Sequence, residues 1–344
     1  SSAVEGFCFI DVILSHHRDR TAGCQATRGV ATGTSRRRRS RSIFRAEPGE
    51  YNQAMTLGLR SIRSGALLWL VSVLLVAVGC STNAATGEQQ LNALSLDQEI
   101  ALGKQAAPQF LEQLGGEIDS KEIRQYVSEV GQKLAAVSER SHLPWKFKVV
   151  DSEVLNAFAL PGGSIFISRG FLEKLRDESM LAAVLAHEIG HTTAQHLGQR
   201  ITRQQLVGMI GGIARSTAGN SAGQWLRVGT DIGGGLLLMS YSREQELESD
   251  YLSFRYVAKL GYSPKGVLNV LRVLEQEAKG PPRSSIFSTH PAPAERARRA
   301  ARYIARIFPD ADDTDRYTTN ATRYDQIVLQ NLQKLPSPRH GASS

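Results

Sequence analysis

The sequence predicts an α+β domain that is mostly helical and carries a small β-sheet beside one buried helix. Three observations predict this class. Apolar residues recur at helical spacing in residues 96–114 and 121–137. An alternating segment typical of a strand occupies residues 145–150, and residues 156–168 are predicted to be a loop that runs into a strand. The run Met180–Ala186 is apolar throughout, which is typical of a helix buried on all sides.

The first part of the chain has the pattern of an export signal. The first methionine is Met55, and a short basic segment, a 13-residue apolar stretch and small residues before Cys80 follow it. This order is typical of a secretory signal peptide, and the apolar stretch is short for a membrane span. We therefore expect residues 55–79 to be a signal peptide and residues 1–54 to be a mis-assigned upstream region.

The residues around Cys80 resemble a bacterial lipobox, which predicts that this cysteine carries a lipid anchor to the membrane. Two alternatives stay open, namely an ordinary signal peptide with an incidental cysteine and a single-pass membrane anchor. The arginine run at residues 36–39 gives a third alternative, in which the N-terminal region is a basic arm that binds nucleic acid. That arm conflicts with export, because a signal peptide must lie at the N-terminus.

The charge and the cysteines exclude several classes of function. Eleven of the 41 basic and five of the 33 acidic residues lie in residues 1–79, which leaves residues 80–344 with a net charge of +2. This balance does not predict nucleic-acid binding. No cysteine follows Cys80, which excludes cysteine-protease chemistry, disulfides and a cysteine-ligated metal after it. The signal and the absence of disulfides fit the bacterial cell envelope, and Ser81 after the cysteine predicts the periplasmic face of the outer membrane.

The remaining elements follow in chain order. We expect residues 80–94 to be a polar tether, and Ser95 to be the N-cap of the first helix. A loop then runs into a strand before Ser168, a helix starts at Arg169 and continues to Leu175, and the buried helix spans residues 178–199. Residues 200–240 contain nine glycines, which fit flexible turns in a helix pair or a mobile flap over a cleft. The chain from Pro336 onward is expected to be disordered.

The strongest chemical signal is the pentapeptide His187-Glu188-Ile189-Gly190-His191, directly after the apolar run. Histidines at i and i+4 lie on one helix face, so both imidazoles can bind one metal ion. Glu188 lies one step round the helix, where it can act on water rather than on the metal. Two nitrogen ligands with room for a carboxylate favour one Zn²⁺ per chain. The alternative of incidental surface histidines fits poorly with the apolar run.

The spacing of residues does not identify the third ligand. His196 fails the pattern of proteases with a downstream histidine ligand, because Ala194 and Leu197 stand where glycine and histidine are needed. The acidic residues between Ser242 and Asp250 are the remaining candidates. The candidates are Glu244, Glu246 and Glu248. Helical geometry alone does not identify which of them binds the metal.

Three separated motifs together resemble a known family. They are Asn156-Ala-Phe-Ala-Leu-Pro-Gly-Gly163, then His-Glu-x-x-His, then Ser242-Arg-x-x-Glu246-x-x-x-Asp250. Their order resembles the HtpX and CAAX-prenyl-protease type of gluzincin metallopeptidases, and most of all its periplasmic lipoprotein branch without a helical-repeat domain.

The resemblance covers residues 95–305 and implies a zincin-like fold. A metallopeptidase domain would occupy residues 95–308, and a partly disordered C-terminal extension residues 309–344. It also implies that Glu246 is the third zinc ligand and that Asp250 orients a ligand histidine.

A further motif around His290 resembles a loop of the same branch. In that loop the histidine approaches the metal, takes the position of the water and keeps the enzyme latent. The alternative is that His290 caps the helix that begins near Pro293.

These observations predict a zinc endopeptidase in which Glu188 takes a proton from water and later passes it to the leaving amine. We expect the strand at Gly163 and Ser164 to be a sheet edge to which an extended substrate adds. By the resemblance, Asn156 binds that substrate near the scissile bond. Unfolded or misassembled envelope proteins are the expected substrates. The rival hypothesis is a chaperone-like binding protein whose zinc site is closed by His290 and the glycine-rich segment.

Overall fold

The computed structural model describes residues 80–216, 240–280 and 286–338. The predicted upstream region, the signal peptide and most of the glycine-rich segment lie outside these ranges, as do residues 339–344. Within the described ranges, no helix combines the length and the hydropathy that crossing a membrane requires. The described residues form an α+β fold in which helices predominate, as the sequence predicts.

A three-stranded sheet lies beside the buried helix. Its strands are β3 (Lys146–Val150), β4 (Ala157–Leu160) and β5 (Ser164–Ser168), in the order β3-β5-β4. Strand β5 pairs in parallel with β3 and antiparallel with β4, so it is the central strand. The prediction that residues 163–168 form a sheet edge is therefore wrong. Residues 157–160, expected as a loop, form the edge strand instead.

The Pro-Gly-Gly turn between β4 and β5 allows the first helix to pack closely against it. Gly162 and Gly163 have φ angles of 76° and 97°, which favour glycine. A Cβ atom on Gly162 would lie 2.6 Å from the Cα atom of Ile100 in α1 (Leu96–Gln113). Both glycines therefore serve the turn, and Gly162 also allows the close contact with the helix.

The N-terminal hairpin, residues 80–91, precedes this helix. It consists of the antiparallel strands β1 (Cys80–Thr82) and β2 (Gln89–Leu91). The prediction of a polar tether is therefore wrong for these residues. The hairpin is held by residues distant in sequence, because Asn83 donates a hydrogen bond of 2.6 Å to Glu248. Helix α1 begins at Ser95, which forms the predicted N-cap within a capping box.

Helix α2 (Lys121–Ala136) occupies the predicted position and packs between the sheet and the buried helix. Its buried residues Ile123, Val127, Val130 and Leu134 recur at helical spacing. Helix α3 (Arg169–Leu172) follows β5 and ends three residues before the predicted boundary.

The buried helix is α4 (Glu178–Thr193), which begins at the N-cap Asp177. The prediction of one continuous helix to residue 199 is wrong, because the chain breaks at Gln195 with a φ of 57°. A new helix, α5 (His196–Ser216), begins directly after the break. Gln195 is held in this left-handed conformation by hydrogen bonds to Gln90 and Glu99.

Four helices complete the framework around α4. They are α6 (Arg243–Lys259), α7 (Lys265–Glu277), α8 (Ile286–Thr289) and α9 (Pro293–Ile307). Helix α6 begins at a capping box formed by Ser242 and Gln245. It approaches α4 closely at Gly190, where a Cβ atom would lie 3.2 Å from the Cα atom of Ser249.

The chain after residue 308 packs against the same core. It forms α10 (Ala321–Tyr324), a π-helical segment (Asp325–Leu329) and α11 (Gln330–Leu332). The side chains of Tyr324 and Val328 are fully buried. Arg169 donates hydrogen bonds to the carbonyl oxygens of Leu332 and Pro336, so the chain is held as far as Pro336.

Candidate metal centre

Four side chains from three parts of the fold converge in the interior. His187 and His191 come from α4, Glu246 from α6, and His290 from the segment between α8 and α9. Each offers one nitrogen or oxygen atom within 4.8 Å of the others. The sequence predicts three of these residues as metal ligands and the fourth as a regulatory ligand.

The helix geometry brings the two histidines of α4 together and leaves one carboxylate opposite them. The Nε2 atoms of His187 and His191 are 3.0 Å apart. The Glu246 carboxylate lies 3.5 Å from each of these nitrogens. Glu244 is exposed and Glu248 contacts a different histidine, so Glu246 alone of the three candidates faces the pair.

Asp250 lies one helical turn beyond Glu246 and contacts the other side of His187. Its Oδ1 atom is 3.1 Å from His187 Nδ1. Arg296 of α9 donates two hydrogen bonds to Asp250, of 2.6 and 2.8 Å, and also contacts Glu246. Burial disfavours the charged forms of both acids, but the Arg296 guanidinium and the neighbouring histidines together outweigh it and hold the pKa of Asp250 and of Glu246 below the usual values.

The two histidines of α4 have opposite protonation tendencies. Burial lowers the pKa of His191 well below its usual value. Burial also lowers the pKa of His187, but the neighbouring carboxylates of Asp250 and Glu246 outweigh this effect and raise the pKa to about 9. A metal bound at His187 must therefore displace a proton, so protons and metal compete for this cluster.

Glu188 lies beside the cluster and is itself buried. Its Oε1 atom is 3.7 Å from His290 Nε2, and burial raises the pKa of its carboxyl group. Neither Glu188 Oε2 nor His290 Nε2 has a hydrogen-bond partner among the described residues. Buried polar atoms are rarely left unpaired, so these atoms fit a place that a metal ion and water occupy.

His290 belongs to this cluster and does not cap α9. Its Nδ1 atom is 2.9 Å from Glu246 Oε1. Helix α9 begins after Ala292, which has a φ of 60°, and no side chain caps it by a hydrogen bond. The capping alternative is therefore wrong.

Two further residues at the cluster, Tyr241 and Arg296, have no role predicted from the sequence. The Tyr241 ring stacks on His191 with a centroid distance of 3.7 Å, and its amide donates to the carbonyl oxygen of Thr289. The guanidinium of Arg200 lies 3.8 Å from the Tyr241 ring centroid. Arg296 lies six residues after His290, which is a weak signal, while no motif marks Tyr241.

The three predicted substrate-binding residues lie outside the cluster. The carbonyl oxygen of Gly163 accepts from the Lys146 amide, and Ser164 lies in the central strand between two partners. Their backbones are therefore engaged within the sheet, and the prediction that they pair with a substrate is wrong. Asn156 is buried just before the edge strand, with no partner for its Oδ1 atom among the described residues. Its role stays a prediction.

A family model described as peptidase family M48 matches residues 122–304, which is more than half of the chain. The chain belongs to this family. The resemblance inferred from the motifs is thereby confirmed at the level of the family. The matched residues contain all four converging side chains, as well as Asp250 and Arg296.

Relatives with curated names show how the M48 region is shared. The beta-barrel assembly-enhancing protease of Yersinia pestis is 30% identical over 219 residues, covering 59% of this chain and 43% of that protein. Metalloprotease LoiP of Escherichia coli is 28% identical over 249 residues, covering 67% and 93%. The mitochondrial metalloendopeptidase OMA1 of Schizosaccharomyces pombe is 28% identical over 235 residues, covering 67% and 68%. The chain thus spans less than half the length of the first of these relatives.

Proposed function

We propose that this chain is a zinc-dependent endopeptidase in which His187, His191 and Glu246 hold the metal. The observation that carries the proposal is the buried convergence of these three side chains with the carboxylate of Glu188 beside them. Two imidazoles and one carboxylate, without a thiol, form a donor set that suits catalytic zinc. The names of the relatives, all proteases, support the same reaction.

The protein groups around the site divide the chemistry among them. When bound, the metal polarises the scissile carbonyl group and lowers the pKa of water. Glu188 accepts the proton of the attacking water and then passes it to the nitrogen of the leaving amine. The raised pKa of Glu188 suits this double task, because the group must both take up and release a proton.

Asp250 and Arg296 prepare the ligands for this reaction. Oδ1 of Asp250 lies 3.1 Å from His187 Nδ1, so the carboxylate favours a proton on that nitrogen and leaves the Nε2 lone pair for the metal. Arg296 lies against both Asp250 and Glu246 and keeps the two carboxylates ionised at close range. These two residues are thus expected to support binding of the metal rather than transfer of the proton.

His290 is the candidate for a latency switch. Its ring lies against both Glu246 and Glu188, where it competes with water and substrate for the space at the metal. The segment that carries it is held by the His290 amide, which donates to Ile286, and by the Tyr241 amide, which donates to Thr289. We therefore expect that His290 must withdraw before peptide hydrolysis, and that its removal activates the enzyme.

Strand β4 is the better candidate for binding an extended substrate. Ser168 donates to the Asn156 carbonyl, so in the alternating antiparallel pattern Ala157 and Ala159 direct their amide and carbonyl groups away from β5. All four residues of β4 are buried, so a substrate strand can add there only where the covering segments make room; it would then form hydrogen bonds through its backbone, which tolerates many sequences. Unfolded polypeptides offer such strands more readily than folded ones.

An apolar pocket borders Glu188 and His187 and indicates a preference for one side chain of the substrate. It lies between α4, α7 and α8, and its apolar lining includes Val184, Val267, Leu271 and Ile286. Because Glu188 protonates the leaving amine, the side chain that enters this pocket belongs to the residue that supplies that amine. We expect an aliphatic or aromatic residue there.

The physiological setting follows from the sequence and the relatives. We propose that the substrates are misassembled proteins of the bacterial envelope, in line with the names of the beta-barrel assembly-enhancing proteases. A lipid on Cys80 would hold the enzyme at the periplasmic face of the outer membrane. Metabolic labelling with a radioactive fatty acid, with Cys80→Ala as the control, tests the anchor.

The decisive experiment compares casein cleavage by the wild type, Glu188→Gln and His290→Ala, with zinc quantified in each purified sample. Cleavage by the wild type or by His290→Ala, combined with zinc-loaded but inactive Glu188→Gln, supports the proposal. Cleavage by His290→Ala alone also supports the latency switch. If all three variants bind zinc and none cleaves, the chaperone-like alternative replaces the protease.

A further inference from the structure

A third histidine of the α4–α5 region, His196, lies behind the metal cluster and contacts one of its members, His191. His196, the first residue of α5, is fully buried. Its Nδ1 atom is 2.8 Å from Nδ1 of His191, and its Nε2 atom is 3.1 Å from Oε2 of Glu248. The other oxygen of Glu248 accepts a hydrogen bond of 2.6 Å from Asn83 in the N-terminal hairpin. Four side chains thus form one continuous chain of hydrogen bonds.

The proton positions along this chain follow from a metal on Nε2 of His191. A neutral imidazole that gives its Nε2 lone pair to a metal carries its proton on Nδ1. That proton is donated to His196 Nδ1, so the proton of His196 must lie on Nε2 and is donated to Glu248. The Glu248 carboxylate accepts at both of its oxygens. Every hydrogen bond has one donor and one acceptor: two run from His191 through His196 to Glu248, and the third runs from Asn83 to the same carboxylate.

The break between α4 and α5 makes this contact geometrically accessible. In a continuous α-helix, residues five apart lie about 140° from each other around the axis, so their side chains diverge. The left-handed conformation of Gln195 interrupts the helix between His191 and His196. The rings then lie 5.0 Å apart between centroids. A residue other than glycine adopts this conformation rarely, so the surrounding structure must impose it.

The N-terminal hairpin contacts this arrangement at two points. Asn83 binds Glu248 at the end of the hydrogen-bond chain. Gln90 donates 2.6 Å to the Oε1 atom of Gln195, the residue at which the helix breaks. Both hairpin residues lie more than 100 positions from their partners in the sequence.

We propose that His196, Glu248 and Asn83 are positioning residues that orient His191 as a metal ligand, so that the N-terminal hairpin is a structural part of the metal centre. The proposal rests on the proposed function in one respect, namely that His191 binds the metal. The chain fixes both the tautomer and the ring orientation of His191, while the Glu248 carboxylate makes the ring a stronger donor to the metal. Outer partners of this kind change metal affinity by about 10- to 100-fold in other metal sites.

The test measures metal binding and ligand geometry separately from activity. Full-length wild type, His196→Ala, Glu248→Ala, Glu248→Gln and Asn83→Ala are loaded with Co²⁺, whose visible absorption reports the geometry of its ligands. Zinc affinity is measured by competition with a chromophoric chelator. Urea unfolding of the metal-free proteins measures stability. Glu244→Ala is the control on the same helix, and Gln89→Ala is the control in the hairpin, where that exposed side chain donates a hydrogen bond to Thr82.

We expect zinc affinity to fall about 10- to 100-fold in His196→Ala and Glu248→Ala, with an altered cobalt spectrum, in metal-free proteins that are still folded at the start of the urea titration. Asn83→Ala should weaken zinc binding in the same direction by a smaller factor. Glu248→Gln retains an oxygen that can accept from His196 and should restore part of the affinity. Both controls should bind zinc and cobalt as the wild type does.

Two results would overturn the proposal. The first is unchanged zinc affinity and an unchanged cobalt spectrum in His196→Ala and Glu248→Ala. The second is a loss of affinity that only parallels a loss of stability in the metal-free proteins, since this marks a purely structural role. Failure of the proposed function has a different signature, because the wild type itself would then bind no metal or Glu188→Gln would cleave casein.

Discussion

The buried carboxylate of Glu178 should contribute much more to stability than an exposed carboxylate that binds the same arginine. Glu178 lies in the first turn of α4 and accepts hydrogen bonds from the hydroxyl groups of Tyr126 and Tyr262, at 2.5 and 2.7 Å. It also accepts from Asn320 at 3.0 Å and from Arg323 at 3.1 Å. Its side chain is 1% exposed. The carboxylate thus joins α2, α4, the segment between α6 and α7, and the C-terminal segment.

Truncation of Glu178 leaves these donors without an acceptor. Breaking a buried pair by removing one partner costs about 3–5 kcal/mol, because the remaining charged or polar groups stay desolvated. Burial and the hydrogen bonds to Glu178 raise the pKa of both tyrosines, so their hydroxyl groups remain protonated donors across the accessible pH range. We therefore expect Glu178→Ala to lower the free energy of unfolding by about 3–5 kcal/mol.

Glu129→Ala is the matched control. Glu129 binds the same Arg323 at 2.9 Å, but its side chain is 44% exposed. Removal of an exposed ion pair costs about 0–1 kcal/mol. Urea denaturation of both variants, followed by circular dichroism, measures the difference. If the two variants lose the same stability within about 1 kcal/mol, burial of the carboxylate is not the cause and the reasoning fails.

Three further predictions concern packing and substrate binding. Gly266→Ala should lower the free energy of unfolding by about 1–3 kcal/mol, because its Cβ atom would lie 2.4 Å from the Ser179 carbonyl oxygen. The control Gly280→Ala, at an exposed position, should change this free energy by less than about 0.5 kcal/mol. Ala159→Pro removes one outward amide of β4 and should raise the KM for an extended peptide about 10-fold. The control Ala159→Ser keeps the amide, and an equal KM in the two variants would refute binding at β4. Peptides with leucine or phenylalanine on the leaving-amine side should be cleaved at least about 10-fold faster than those with aspartate, and no preference would argue against the apolar pocket beside Glu188.

Local features of the fold could be predicted from the sequence. The helix starts at Ser95 and Ser242 depend on neighbouring residues alone, since each serine caps its own helix through a capping box. The positions of His187, Glu188 and His191 on one buried helix depend only on helical spacing. These predictions needed no information about distant parts of the chain.

Features that depend on distant contacts were predicted poorly. Which strand lies at the sheet edge is decided by pairing between β3, β4 and β5, and no local pattern in residues 163–168 distinguishes a central strand from an edge. No glycine marks the helix break at Gln195. The side chain of this residue forms hydrogen bonds with Gln90 and Glu99, which are distant in the sequence, so no local pattern predicts the break. The choice of Glu246 over its acidic neighbours likewise depends on how α6 packs on α4, and only the family resemblance identified it in advance.

If Cys80 carries a lipid, the N-terminal hairpin also limits how far the peptidase can reach from the membrane. Only three peptide units separate Cys80 from Asn83, whose side chain is already bound to the body, so an extended chain between them spans at most about 10 Å. A lipid on Cys80 would therefore be joined to the folded domain by almost no flexible linker. The peptidase would lie directly on the bilayer surface and would meet its substrates in two dimensions, in contrast to an enzyme on a long flexible linker that samples the surrounding volume.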